Sequence, residues 1–144
     1  MPAHVETDNV AISKDIYAII SKGDLNQLTN LYAQNSVMVN MPWNTTFRGR
    51  DNVLNYIRIL RTAFPDMKVT LTHQTAQDDT VVNEWLLKGT HKGVLKSPTG
   101  DIAPTNRSVE IPGVSIFEME DGQVVNIRQY WDINSLLRQI GLVS

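Results

Sequence analysis

The chain has 144 residues, 42% of them apolar, and a net charge of −2; a chain of this length folds as one domain and buries roughly 70% of its unfolded surface. Without cysteine it has no disulfide, no thiolate nucleophile and no cysteine zinc site, and its scattered basic residues, of which Arg48, Arg50, Arg58 and Arg61 come nearest to a group, argue against nucleic-acid binding. No run of about 18 apolar residues offers a membrane span, and Met1-Pro2-Ala3-His4-Val5-Glu6 lacks the features of a secretory signal, so a single cytoplasmic domain over residues 1–144 is the expectation.

Ile12, Ile16, Ile19 and Ile20 fall on one helical face, which predicts an amphipathic helix over about 8–21. Gly23 breaks it, and Asp24 stands where it would cap a second helix carrying Leu25, Leu28, Leu31 and Tyr32 inward. A short strand over 36–41 ends at Pro42. Val53, Ile57, Leu60 and Phe64 mark a third helix, with Asp51 in its first turn and Pro65 as its stop. The period then changes from about 3.6 to 2. Val69, Leu71, His73 and Thr75 alternate with polar residues, Asp78-Asp79 turns the chain, and 81–93 reads as a long strand. Residues 94–105 read as a loop, 109–118 and 124–131 as a hairpin closed by Glu120-Asp121-Gly122, and 133–141 as a last helix. Helices followed by long antiparallel strands predict an α+β fold, a curved antiparallel sheet wrapped around N-terminal helices into a cone. The space between those layers is a natural pocket for an apolar small molecule.

Asp132 is the first candidate for chemistry. Asn126, Arg128, Tyr130 and Asp132 share one face of the last strand, and Ile127, Gln129 and Trp131 share the other. If the first face lines the cone, a carboxylate stands there beside a phenol and a guanidinium and can work as a general base or acid. Spacing alone reads Asp132 first as the cap of the last helix. His91 shares a face with Val81, Asn83, Trp85, Leu87 and Gly89; it would polarise a carbonyl or shuttle a proton, or else pin the loop that follows it. His73 and His4 offer nothing comparable. Asn40, Trp43, Trp85 and Glu118 complete the pocket candidates, and Arg128 could be the partner that Glu118 needs among apolar neighbours. The chain has no phosphate-cradling glycine loop, no Gly-x-Ser-x-Gly elbow, no His-Glu-x-x-His pair and no metal-ligand spacing, so neither cofactor nor metal is expected.

Ala63-Phe64-Pro65-Asp66, Gly89-Thr90-His91-Lys92-Gly93, Pro104-Thr105-Asn106-Arg107, Asp121-Gly122-Gln123-Val124-Val125 and the segment from Asp132 to Gly141 occur in this order across nearly the whole chain. The ordered set resembles the SnoaL-like polyketide cyclases, often labelled ester cyclases, of the nuclear transport factor 2-like superfamily. The resemblance implies a cone fold, frequently dimeric through the outer face of the sheet. It also implies a cofactor-free intramolecular aldol closure in which the aspartate matched by Asp132 is the acid/base. His91 matches the histidine of the family's Gly-Thr-His-x-Gly pattern. Asn106 stands where the family commonly has glycine, and Arg128 where an aromatic residue is often found. On this reading Asp132 takes a proton beside a carbonyl, His91 or Tyr130 stabilises the enolate oxygen, and Asn40, Trp43 and Trp85 hold the ring. The alternative is a protein of the same fold that binds a hydrophobic molecule without chemistry, its Asp132 paired with Arg128.

Overall fold

The computed structural model describes residues 3–143, with side chains from residue 5 onward, so the side chain of His4 lies outside the described residues. Helix α1, Ala3–Lys22, buries Ile16, Tyr17 and Ile20 and stops before Gly23. The second helix expected from Asp24 is only a 3-10 turn, Leu25–Leu28. Asp24 makes no capping bond to the backbone; its carboxylate accepts from Gln27 Nε2 at 2.8 Å. Tyr32 instead opens strand β1, Tyr32–Asn40, because pairing with the end of the chain outweighs local helix propensity.

Strand β2, Thr45–Arg48, unexpected from its mixed sequence, pairs back on β1. Helix α2, Arg50–Ala63, follows with Val53, Leu54, Tyr56 and Ile57 buried, and it ends before Pro65. Strands β3, Lys68–Gln77, and β4, Thr80–Thr90, form a hairpin. A register shift between Leu71 and His73 swaps the faces of β3, so Val69 and Leu71 point inward while His73 is exposed and bonds Thr75 Oγ1. The segment expected as plain loop carries a small hairpin, β5, Leu95–Ser97, and β6, Gly100–Ile102.

Strands β7, Ser108–Glu120, and β8, Gln123–Trp131, are joined at Asp121 and Gly122, whose φ angles of 49° and 77° are the left-handed pair of a tight hairpin turn. Helix α3, Ile133–Gln139, follows directly. The six long and edge strands lie in the order β2-β1-β8-β7-β4-β3. Neighbours pair antiparallel except β1 and β8, which run parallel, so the sheet is mixed rather than wholly antiparallel. Its concave face closes on α1 and α2 around one core that includes Ile16, Leu28, Val53, Phe117, Val124 and Ile127.

Candidate active site

Alternation along the three central strands decides what enters the cone. On β8 the inward set is Ile127, Gln129 and Trp131; on β7 it includes Ser115 and Phe117; on β4, Asn83, Trp85 and Leu87. Between these strands, α1 and α2 lies a cavity of ≈ 50 Å³. Its walls are apolar and aromatic, with Tyr17, Tyr32, Tyr56, Trp85 and Phe117 among them, and Gln129 is the one amide. Tyr17 lies flat against Phe117, ring centroids 5.8 Å apart.

Polar groups around this cavity form a continuous chain. Trp131 Nε1 donates to Asn40 Oδ1 at 3.0 Å, and Asn40 Nδ2 donates to the Tyr56 hydroxyl at 3.1 Å. From the other side Trp85 Nε1 donates to Ser115 Oγ at 2.9 Å, and Ser115 Oγ donates to Gln129 Oε1 at 3.2 Å. Gln129 Nε2 then donates to the same Tyr56 hydroxyl at 3.2 Å. Burial pushes the phenols of Tyr17, Tyr32 and Tyr56 above their ordinary range. They therefore stay neutral at any physiological pH and act as hydrogen-bond donors or acceptors, not as bases.

The residues singled out from sequence separate into three groups. Asn40, Trp85 and His91 are all buried. Asn40 and Trp85 belong to the cavity's polar chain. His91 lies at the end of β4 against Phe64, ring centroids 5.4 Å apart, and is not part of the cavity wall. Its Nδ1 accepts the Thr105 N–H at 3.3 Å, while its backbone exchanges hydrogen bonds with Asn106 and Arg107. These are the contacts of a histidine that pins the loop, and Nε2 is buried without a partner in hydrogen-bonding geometry. Asn106 takes a positive φ of 59°, which explains a position otherwise suited to glycine, since asparagine is among the side chains that tolerate it best.

Glu118, Arg128 and Tyr130 are a correction: they lie on the outer face of the sheet, not in the cavity. The period of 2 gives two faces but not which one is inward, and Ile127 and Trp131 take the core side of β8. Arg128 does pair with Glu118, Nη2 to Oε1 at 3.3 Å, and Thr80 Oγ1 donates to Glu118 Oε2 at 2.7 Å. Asp132 is exposed and caps α3, its Oδ1 accepting from the N–H groups of Asn134 at 2.9 Å and Ser135 at 3.2 Å. Trp43 lines an outer crevice of ≈ 330 Å³ with Pro42, Ile102, Ile133 and Leu137; Asp132 precedes Ile133 in the chain but is not among the lining residues. The Trp43 ring centroid is 6.2 Å from that of Trp131, which bonds Asn40 in the polar chain around the cavity.

Burial holds the His91 imidazole below its ordinary pKa, with a weaker backbone interaction at Gly93 opposing the shift. The unfolded chain therefore takes up a proton that the folded chain resists, so stability declines as pH falls through about 6.5 toward the lower folded value. His91→Gln is expected to flatten this part of the profile, read from urea midpoints across that range.

Tyr56, Gln129 and Ser115 are site residues that the sequence did not point to. The available signal was an amide alternating with Ile127 and Trp131 on an otherwise apolar strand face. Among solved structures, a candidate SnoaL-like polyketide cyclase from Jannaschia sp. CCS1 is 21% identical, with a TM-score of 0.84 over 96% of this chain and 95% of that one. IdmH, a candidate polyketide cyclase from Streptomyces antibioticus, is 24% identical, with a TM-score of 0.77 over 92% and 98% of the two chains. A Catenulispora acidiphila protein of ketosteroid isomerase-like fold is 21% identical, with a TM-score of 0.76 over 92% and 93%. At such identities these likenesses establish the fold. No curated protein sequence matches the chain. The sequence profile of the SnoaL-like polyketide cyclases matches residues 11–140, and the chain belongs to that family.

Proposed function

We propose that the protein performs cofactor-free proton abstraction beside a carbonyl of an apolar, cyclic or polyketide-like molecule, with an intramolecular aldol closure as the reaction. The observation that carries this reading is the aromatic cavity with directed, uncharged hydrogen-bonding groups, found in a member of a cyclase family. Such a wall holds an apolar skeleton, and a few fixed donors suffice to stabilise an enolate oxygen. A cavity of ≈ 50 Å³ is far smaller than the ~300–1,000 Å³ of a drug-sized ligand site, so it takes the carbonyl end only. The remainder extends out of the cavity, and the scheme has it reach Asp132, which precedes the crevice residue Ile133.

In this scheme the Asp132 carboxylate removes a proton from the carbon next to the carbonyl. The C–H electrons become a C=C bond and the carbonyl pair moves onto oxygen. The enolate carbon attacks a second carbonyl of the same molecule, forming the ring bond, and the new alkoxide takes the proton back from Asp132. The sum is an isomerisation, which needs no electron donor or acceptor. Aryl methyl ketones incubated in heavy water test the first step: the protein is expected to exchange their methyl protons faster than buffer alone, and Asp132→Asn to lose that acceleration.

One observation favours a second reading, a binder without chemistry: none of the described residues lining the cavity carries a carboxylate or imidazole. Saturable ketone binding with exchange no faster than buffer decides for the binder. We also propose self-association through the outer sheet face, supported by half-buried Val82, Val114 and Ile116 and by Tyr130, 42% exposed, on that surface. A dimer mass is the expected result of light scattering, and a monomer at high protein concentration removes this proposal.

A further inference from the structure

Two indoles head the two hydrogen-bonded arms that converge on Tyr56. Indole Nε1 is a donor and never an acceptor. Trp131 Nε1 therefore requires the oxygen of the Asn40 amide, which leaves Asn40 Nδ2 facing Tyr56. On the other arm Trp85 Nε1 donates to Ser115 Oγ, the serine hydroxyl donates to Gln129 Oε1, and Gln129 Nε2 faces Tyr56 as well. Both arms end on one phenol oxygen as donors. That oxygen accepts two hydrogen bonds and still owns a proton, for which no acceptor stands among the described residues.

We infer that Tyr56 is the hydrogen-bond donor that receives the substrate's carbonyl oxygen, its hydroxyl proton directed into the cavity by the converging Asn40 and Gln129 amides. This rests on the reading of the cavity as a carbonyl site and names the group that makes it one. Tyr56 lines the cavity directly and is buried, so water does not compete for its proton as it would at the surface. Two N–H donors on the phenol oxygen also polarise the O–H bond, which strengthens donation as negative charge grows on the substrate oxygen. The site then favours ligands whose oxygen gains charge, ketones and their enolates, over hydrocarbons of equal size. Asn40 and Gln129 are positioning residues, acting through Tyr56.

The test uses acetophenone, a small aryl ketone, and reads its carbonyl stretch by infrared difference spectroscopy on the whole protein. Bound to the native protein, the stretch is expected at lower frequency than in an aprotic solvent. In Tyr56→Phe the lowering should disappear and affinity should fall about tenfold. With 3-fluorotyrosine in place of Tyr56, which keeps the hydroxyl and makes it more acidic, the lowering should increase. The fluorinated protein decides the matter if the phenylalanine variant fails to fold. An unshifted stretch in the native protein, an equal shift in Tyr56→Phe, a shift indifferent to fluorination, or no saturable binding of acetophenone overturns the inference. Proton exchange is a separate readout: exchange that persists while the shift ignores Tyr56 removes this donor but not the chemistry. A Tyr56-dependent shift without exchange leaves the donor and removes the chemistry.

Discussion

Gly93→Ala is expected to lower the free energy of unfolding by about 3 kcal/mol, read from urea denaturation. A Cβ at this position would overlap the carbonyl oxygen of Thr62, a backbone atom that cannot swing aside. The contact exists because the chain leaves β4 and passes under the last turn of α2. There the N–H groups of Lys92 and Gly93 both donate to the Ala63 carbonyl, at 3.0 and 3.1 Å. They satisfy an oxygen that a helix C-terminus otherwise leaves unpaired. To admit a methyl group the loop must lift, which breaks both bonds and loosens the ring contact between His91 and Phe64. An alanine variant as stable as the native protein would mean that the loop is not seated on α2.

Asp132→Asn and Asp132→Ala are expected to separate two roles of one side chain. Asparagine caps a helix about as well as aspartate, so the first variant should keep its stability within ~0.5 kcal/mol while exchange or turnover falls about 10²- to 10⁴-fold. Alanine removes the cap that holds the N–H groups of Asn134 and Ser135, and should cost about 1 kcal/mol besides the activity. The cap engages Oδ1 alone, so the proposed proton transfer would use Oδ2 without undoing α3. Activity that survives in Asp132→Asn but falls in Asp132→Ala would assign the residue to the helix and not to the reaction.

Strong local periodicity was legible in the sequence. Val53, Ile57 and Leu60 mark α2, with Pro65 beyond its end, and Asp121-Gly122 marks the last hairpin. What the sequence hid depends on partners far along the chain. Leu25 and Leu28 have helical spacing, yet the chain turns into β1 because Tyr32 meets Val124. The bulge after Leu71 reverses the face of β3 with no local residue to announce it. The side of β8 that enters the cone was hidden for the same reason. Alternation is symmetric under exchange of faces, and Arg128 and Tyr130 look as suited to a pocket as Gln129 does. The polar chain was least legible, since it joins Asn40, Tyr56, Ser115 and Gln129 from four different elements.

The parallel pairing of β1 with β8 also sets the order in which the molecule can assemble. The partners lie about ninety residues apart, so the middle of the sheet is among the last parts for which the growing chain holds both halves. Until residues 123–131 leave the ribosome, β1 with β2 and β7 with β4 and β3 are two separate ribbons with open edges. A nascent chain stopped before β8 should therefore be prone to aggregate and to recruit chaperones, however well its helices have formed.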